Sequence, residues 1–523
     1  MTEVVNIAAC LPGIASRRPD DVAISHPVAT LSNGGIAYRR VTYRQLDEES
    51  NAIARGLIAR GIGRGVRAVL MVPPGPEFFA LAFAMAKAGV VPVVIDPGIG
   101  RKHLKACIDE AEPLAFIGIP RAQAARILLR WGRRTLRHFI SVGKRWPGSL
   151  ALPGAPVLAE TLAGETAAIL FTSGSTGPPK GVVYTHGNFA AQIEALRRIA
   201  GLGADEIDLP TFAPFALFDP ALGMSTVVPQ MDFSRPARVD PARLVAAIQQ
   251  ERVTNMFCSP AVLARLAQFG ARLPTLRRVV CAGAPVPRRV LERFSSLLEG
   301  GAQVLTPYGA TEALPVSNVG SARLLGETRL GTCVGQAAPS VELAIVPISD
   351  GQLTELRPLP AGEIGEIAVR GPAVTRSYWK RPQATALAKI TAADGTFWHR
   401  MGDVGYLDAA NDLWYCGRKS QRVVIGGATL FTDPCEAVFN AHPKVRRSAL
   451  VGARGRPVVC IELEEPGVTV AELRELASRH PETAMLETFL FHKSFPVDAR
   501  HNAKIRREEL AIWAAQRLSK ALS

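Results

Sequence analysis

Apolar positions recur at helical spacing over 43–60 (YRQLDEESNAIARGLIAR), and Gly61 follows as a stop, which predicts an amphipathic helix. The stretch 66–72 is apolar without that period and predicts a buried strand. Helix and strand repeat at 76–89 and 90–95. The apolar run 78–95 is broken by Lys87 and Pro92, so it predicts helix, turn and strand and not a membrane span. Ala168, Ile169, Leu170 and Phe171 predict another short buried strand. The alternation then resumes, with helices expected at 188–200, 241–251 and 260–269 and strands at 254–258 and 278–282. Strands alternating with helices imply parallel, doubly wound sheets with ligands at the carboxyl ends of the strands. Two such runs in succession predict two subdomains sharing a cleft.

Past Ser340 the pattern shifts to short strands at 341–346 and 365–370, bounded by Pro and Gly, which predicts a smaller β-rich subdomain. Gly417, Arg418, Lys419 and Ser420 form a candidate hinge. The remainder, with helices near 434–441 and 470–478 and strands near 449–452 and 458–462, reads as a separate α+β unit of about one hundred residues. The expected class is α/β: a large N-terminal domain over 1–417, made of two doubly wound α/β subdomains and a β-rich one, then a small C-terminal domain over 418–523. With 523 residues the chain is too long for one core.

The apolar strand at 168–171 runs into Thr172, Ser173, Gly174, Ser175, Thr176, Gly177, Pro178, Pro179, Lys180 and Gly181. Small residues let successive backbone N–H groups close on an anion, and the hydroxyls add donors. The order differs from the common P-loop, where lysine directly follows the closing glycine and precedes Ser or Thr. A flexible Ser/Gly linker fits poorly, since Pro178 and Pro179 stiffen one end and a strand abuts the other. A phosphate grip is expected, with Lys180 at its end.

The net charge of +15 implies an acidic counterpart, whether nucleotide, fatty carboxylate, membrane surface or protein. Part of it is local: Arg121, Arg126, Arg130, Arg133, Arg134, Arg137, Lys144 and Arg145 surround Ile127, Leu128, Leu129 and Trp131. The bland reading, a solvated helix packed by one face, is preferred to a helix lying on lipid or a partner, and peripheral membrane contact stays open. No aromatic-interleaved basic motif is present, so nucleic acid is not an expected partner. Eight cysteines lie scattered without a CxxC pair, which favours core roles over a disulfide framework or zinc site. Residues 1–11 carry no basic-then-apolar signal, so a cytoplasmic protein is expected.

Three downstream motifs carry chemistry. Tyr308, Gly309, Ala310, Thr311 and Glu312 combine an aromatic face for a purine, a glycine for close approach, a hydroxyl for a phosphate and a carboxylate for magnesium. Asp403, placed after Gly402 in what reads as a glycine turn, is a candidate for two vicinal ribose hydroxyls. Lys504 lies in the C-terminal stretch 496–506, eight positions after Pro496 and followed by Ile505 and Arg506.

The run TSGSTGPPKG, the turn Gly283-Ala284-Pro285, the pentapeptide YGATE and the C-terminal lysine, in that order, resemble the adenylate-forming superfamily of acyl-CoA synthetases, luciferases and peptide-synthetase adenylation domains. The resemblance spans nearly the whole chain. It implies ATP and Mg2+ as cofactors, Ala284 and Tyr308 beside adenine, Thr311 at the α-phosphate, Glu312 at the metal, Asp403 and Arg418 at the ribose, and a mobile C-terminal domain whose Lys504 bridges carboxylate and phosphate. Met401 stands where that family's turn has threonine, and Ala503 where a glycine usually precedes the lysine.

The segment from Arg418 to Val424 lacks the aspartate and lysine of thioester-forming members, and Ala213 stands where acyl-CoA synthetases commonly carry histidine. Phe212, Ala213 and Phe215 belong to an apolar stretch suited to an alkyl chain. With 430–440 and 497–504, these departures resemble the β-lactone synthetases of bacterial long-chain olefin biosynthesis. That resemblance implies adenylation of a long-chain 2-alkyl-3-hydroxy fatty acid and closure by its own 3-hydroxyl, beside thiolase-like, reductase and dehalogenase-like enzymes. No base for ring closure is assigned; His186, His399 and His501 are candidates, each better read as structural. A long-chain acyl-CoA or fatty acyl-AMP ligase, and a non-enzyme binding nucleotide or lipid through 121–145, stay open.

Overall fold

The helix expected over 43–60 forms at Tyr43–Ala59 because Thr42 caps it: the Thr42 hydroxyl accepts from the Gln45 amide and the Gln45 side chain accepts from the Thr42 amide. Such a reciprocal cap is worth about 1 kcal/mol. Leu46, Ile53, Ala54 and Leu57 form its buried face. The structure is a computed structural model and describes residues 4–32, 34–96, 99–144, 146–172, 178–497 and 504–520. The neighbouring helix, Pro76–Lys87, ends in the lysine that interrupts the apolar run. That side chain is fully buried, and its ammonium donates to Asp47 Oδ1 at 2.6 Å and Ser50 Oγ at 2.8 Å, tying the two helices together. Among the described residues no helix is long and apolar enough to cross a membrane.

The first run of strands forms a six-stranded sheet in the order His138–Ser141, Ala115–Gly118, Arg67–Met71, Val91–Ile95, Thr166–Thr172, Lys180–Thr185, parallel except for its last pair. The second forms a seven-stranded sheet, Gln303–Leu305, Arg278–Cys281, Asn255–Cys258, Ile207–Pro210, Ser225–Val227, Val22–Thr30, Ile36–Thr42, parallel except for its terminal hairpin. That hairpin comes from the start of the chain and was not foreseen; Pro27 inside it and irregular apolar spacing hide it from a periodicity reading. An antiparallel sheet follows, built from Tyr308–Ala310, Ala313–Asn318, Thr332–Ala337, Leu413–Arg418, Phe397–Leu407, Gly365–Arg370 and Glu342–Val346. After it come Val445–Ala453, Arg456–Leu463 and Phe489–Phe491, packed by Thr432–Asn440 and Val470–Ser478 around Val438, Phe439, Leu450, Val459 and Leu473.

Two local expectations change. Asp403 does not sit in a turn: Phe397–Leu407 is one long strand, and Gly402, at φ +67°, bends it so that Asp403 lies opposite Arg418 on Leu413–Arg418. The basic segment is not one helix. Its helix spans only Pro120–Leu128, and Arg130 and Gly132, at φ +54° and +58°, turn the chain so that Trp131 is buried before the strand His138–Ser141 begins. Arg145 lies outside the described residues.

Candidate active site

A cleft of about 2770 Å³ is lined by residues from both parallel sheets, the antiparallel sheet and the C-terminal unit. Lys180, Gly283, Ala284, Pro285, Tyr308, Gly309, Thr311, Glu312, Asp403, Arg418, Lys504, Phe212, Ala213 and Phe215 all line it. Ser173, Gly174, Ser175, Thr176 and Gly177 lie outside the described residues, as does the side chain of Thr172. The strands that flank that loop form a hairpin, with Lys180 directly opposite Thr172. A strand, and not the helix of a P-loop, therefore follows that loop.

Asp403 is buried, and Tyr308 Oη donates to its Oδ2 at 2.7 Å. Arg418 Nη1 lies 2.9 Å from Oδ1, yet no donor in the described residues is aligned to hydrogen-bond that oxygen. Burial pushes this carboxyl above the usual carboxylate range, while Arg418 and then the Tyr308 hydroxyl pull it back. A buried carboxylate oxygen with unused acceptor capacity suits a hydroxyl donor.

Glu312 is held by Tyr378 and Thr375. Tyr378 Oη donates to its Oε1 at 2.7 Å, and its carbonyl accepts from Thr375 N at 2.9 Å and Thr375 Oγ1 at 3.1 Å. Behind Thr375, the buried ammonium of Lys389 donates to the Thr375 carbonyl. Burial lowers the Lys389 pKa to about 7, with Glu312 drawing it back up. Tyr184 Oη donates to the Thr311 carbonyl, and Lys180 Nζ stands 4.9 Å from the centre of the Tyr378 ring. Gly309 is also needed within its own hairpin, where a Cβ would meet the Ala313 carbonyl at 2.7 Å.

The apolar wall is aromatic. Phe215 stacks on Phe257 with centroids 4.0 Å apart, and Phe218, Phe189 and Tyr184 continue the row toward the Thr311 carbonyl at spacings of 5.7, 6.4 and 4.8 Å. The candidate hinge segment is anchored too. Lys419 Nζ donates to the Ser349 carbonyl at 2.8 Å and to Glu366 at 3.1 Å, and the fully buried Glu366 also receives the Arg400 guanidinium at 2.6 Å. Across the start of the last helix, Arg507 joins Glu436 at 2.8 Å and Gln421 at 3.1 Å.

Sequence reasoning missed Tyr378, Thr375, Lys389, Tyr184 and Phe257. They support the site through contacts between positions far apart in the chain, and only the tyrosine in the run SYW at 377–379 sits in a segment distinctive enough to have been flagged. His186 is buried, accepts from the Ile7 amide through Nδ1 and has its pKa lowered to about 4 by burial. His399 is buried with Nδ1 3.1 Å from the Ala388 carbonyl, and burial drops its pKa well below the ordinary value. Neither lines the cleft. His501 lies outside the described residues.

The AMP-binding enzyme family profile matches residues 13–379. An olefin beta-lactone synthetase of Xanthomonas campestris pv. campestris is 50% identical over 550 residues, covering 99% of this chain and 98% of that one. Another, of Stenotrophomonas maltophilia, is 51% identical over 553 residues, covering 99% and 100%. Among solved structures, the amide bond synthetase McbA from Marinactinospora thermotolerans superposes with a TM-score of 0.81 at 24% identity, over 97% of this chain and 99% of that one.

Proposed function

The chain belongs to the AMP-binding enzyme family, and from that premise we propose that it is an ATP-dependent β-lactone synthetase acting on long-chain 2-alkyl-3-hydroxy fatty acids. In the first step the substrate carboxylate attacks the α-phosphorus of ATP and pyrophosphate leaves. In the second, the 3-hydroxyl of the same molecule attacks the acyl carbon, loses its proton and expels AMP, closing a four-membered ring. What supports this is one cleft in which Asp403, Glu312 and Lys504 meet an aromatic apolar wall, in a chain half identical along 99% of its length to olefin β-lactone synthetases.

Roles follow from chemistry. The free acceptor capacity of Asp403 takes a ribose hydroxyl, with Arg418 beside it, and Ala284 and Tyr308 border adenine. The 172–177 donors and Lys180 hold the outer phosphates, and the Thr311 hydroxyl meets the α-phosphate. The Glu312 carboxylate, which lines the cleft, with phosphate oxygens makes an all-oxygen donor set that suits magnesium. A magnesium ion bound there would neutralise phosphate charge. Lys504 stabilises the charge that develops between carboxylate and α-phosphate. Phe212, Ala213 and Phe215 take the alkyl chain, and their apolar wall keeps water from the anhydride. The two domains divide at 418, and the enzyme works in the cytoplasm beside thiolase-like, reductase and dehalogenase-like partners.

A thioester ligase would rotate its small domain about the hinge toward a thiol. Here Ser420 and Val424 stand where thioester-forming members carry aspartate and lysine, and the neighbouring Lys419 is fixed to buried Glu366. An internal hydroxyl needs no second binding event, and its effective molarity offsets part of the ring strain. With no thiol present, ATP and a 3-hydroxy acid should give many turnovers of AMP, whereas the plain fatty acid should stop at one equivalent of adenylate per site. A strict requirement for coenzyme A would contradict the lactone reading.

A further inference from the structure

Between residues 113 and 159 the chain contains no Asp or Glu, while Arg121, Arg126, Arg130, Arg133, Arg134, Arg137 and Lys144 fall inside that stretch. All but Arg121, which lines the cleft, and Lys144, which follows the strand, fall on one contiguous stretch of the fold. It consists of the helix Pro120–Leu128, the turn after it and His138–Ser141, the edge strand of the six-stranded sheet. Among the described residues none of these seven cations pairs with a carboxylate. Asp109, which accepts from the Gly132 amide in the turn, is already paired with Lys105.

Large apolar side chains protrude from the same surface. Ile127 is 64% exposed, Leu128 81% and Phe139 50%, although each follows helix or strand residues that bury their neighbours Ala122, Trp131 and Ile140. Arg126 lies over the Phe139 ring at 3.9 Å, which keeps that ring in place at the surface. Trp131, pinned in the core, fixes the turn that presents Leu128 and Leu129 outward. The inner face of the same short helix belongs to the cleft, which Ile119, Arg121, Ala122 and Ala125 help to line.

We propose that this surface docks on an anionic lipid bilayer, with Ile127, Leu128 and Phe139 entering the headgroup boundary and the surrounding arginines meeting lipid phosphates. Apolar side chains ringed by unpaired cations are the arrangement that partitions into a charged membrane interface. Resting on the fatty-acid reading above, the one helix between bilayer and cleft gives a water-insoluble acid a route into the site that does not cross water.

Cosedimentation with phosphatidylglycerol and with phosphatidylcholine vesicles, in the full-length protein without ATP, tests this. The protein should bind the anionic vesicles at least about a hundredfold more tightly than the neutral ones and lose that advantage as salt is raised. The pair Ile127→Asp with Leu128→Asp should weaken binding at least about tenfold, and Arg133→Glu with Arg134→Glu about a hundredfold. Both pairs alter exposed positions and should turn over a short, water-soluble 3-hydroxy acid at the normal rate, while losing turnover of a long-chain acid supplied in phosphatidylglycerol vesicles. Absence of binding to anionic vesicles, or equal binding by the variants, would overturn the proposal. So would binding confined to a purified acidic protein. Loss of turnover on the soluble acid by the unaltered protein would instead count against the catalytic reading and leave vesicle binding as an independent result.

Discussion

Lys504→Ala is expected to slow ATP–pyrophosphate exchange with the acid substrate by about 10² to 10³-fold. Lys504 lines the cleft, and its charge reaches the buried carboxyl of Asp403, so it stands at the end of the cleft proposed to hold the nucleotide. In the transition state negative charge gathers on oxygens that bridge the attacking carboxylate and the α-phosphate, and a cation placed there stabilises that state more than the substrates. The side chain is exposed, so its removal should leave thermal unfolding unchanged. Binding of ATP alone should also change little, because the loss falls on the transition state. Exchange at the normal rate in the variant would remove the lysine from the chemistry.

Asp403→Asn should raise the KM for ATP by about tenfold to a hundredfold while leaving the KM for the acid unchanged. Hydrogen bonds from a ligand to a charged acceptor are worth about 1.5–3 kcal/mol, and the amide keeps the shape without the charge. Burial raises the folded-state pKa of this carboxyl, so its contribution to stability is fully present below the unfolded value and is lost as pH rises through the folded one. The amide removes this titration but also takes the carboxylate partner from the largely buried Arg418 guanidinium, so thermal unfolding is followed beside the kinetics. A change confined to the KM for the acid would place Asp403 in the acyl site.

The sequence showed the layers more clearly than the supports. Repeating strand and helix from 66 to 95 and from 241 to 282 came out as the two parallel sheets because a buried parallel strand is apolar throughout and its helix carries a strong 3.6-residue period. The hairpin formed by Val22–Thr30 and Ile36–Thr42 was invisible because half of its length faces solvent and the register shifts. Gly402 was legible as a glycine needed for backbone shape; whether it closes a turn or bends a strand depends on Leu413–Arg418, which lies beyond any local window.

In the site, the residues proposed to touch the ligand were easier to find than the residues that hold them. Glu312, Asp403 and Lys504 sit in short distinctive runs. Tyr378, Thr375 and Lys389 fix Glu312 from 63 to more than 70 positions away, and Lys389 offers no hint that its ammonium is buried. The basic segment was misjudged in shape for a related reason: reading 121–145 as one basic helix ignores the pull of the core on Trp131, which ends the helix at Leu128 and leaves its apolar tip exposed.

The central claim is that carboxyl activation comes first and the 3-hydroxyl closes the ring. A 3-hydroxy acid labelled with oxygen-18 in both carboxyl oxygens, incubated with ATP and magnesium and analysed by mass spectrometry, tests it most directly. The account predicts one labelled oxygen in AMP and one in the lactone, at its carbonyl, with the ring oxygen unlabelled. A lactone that retains both labels beside unlabelled AMP would mean that the hydroxyl was activated instead, and would contradict it.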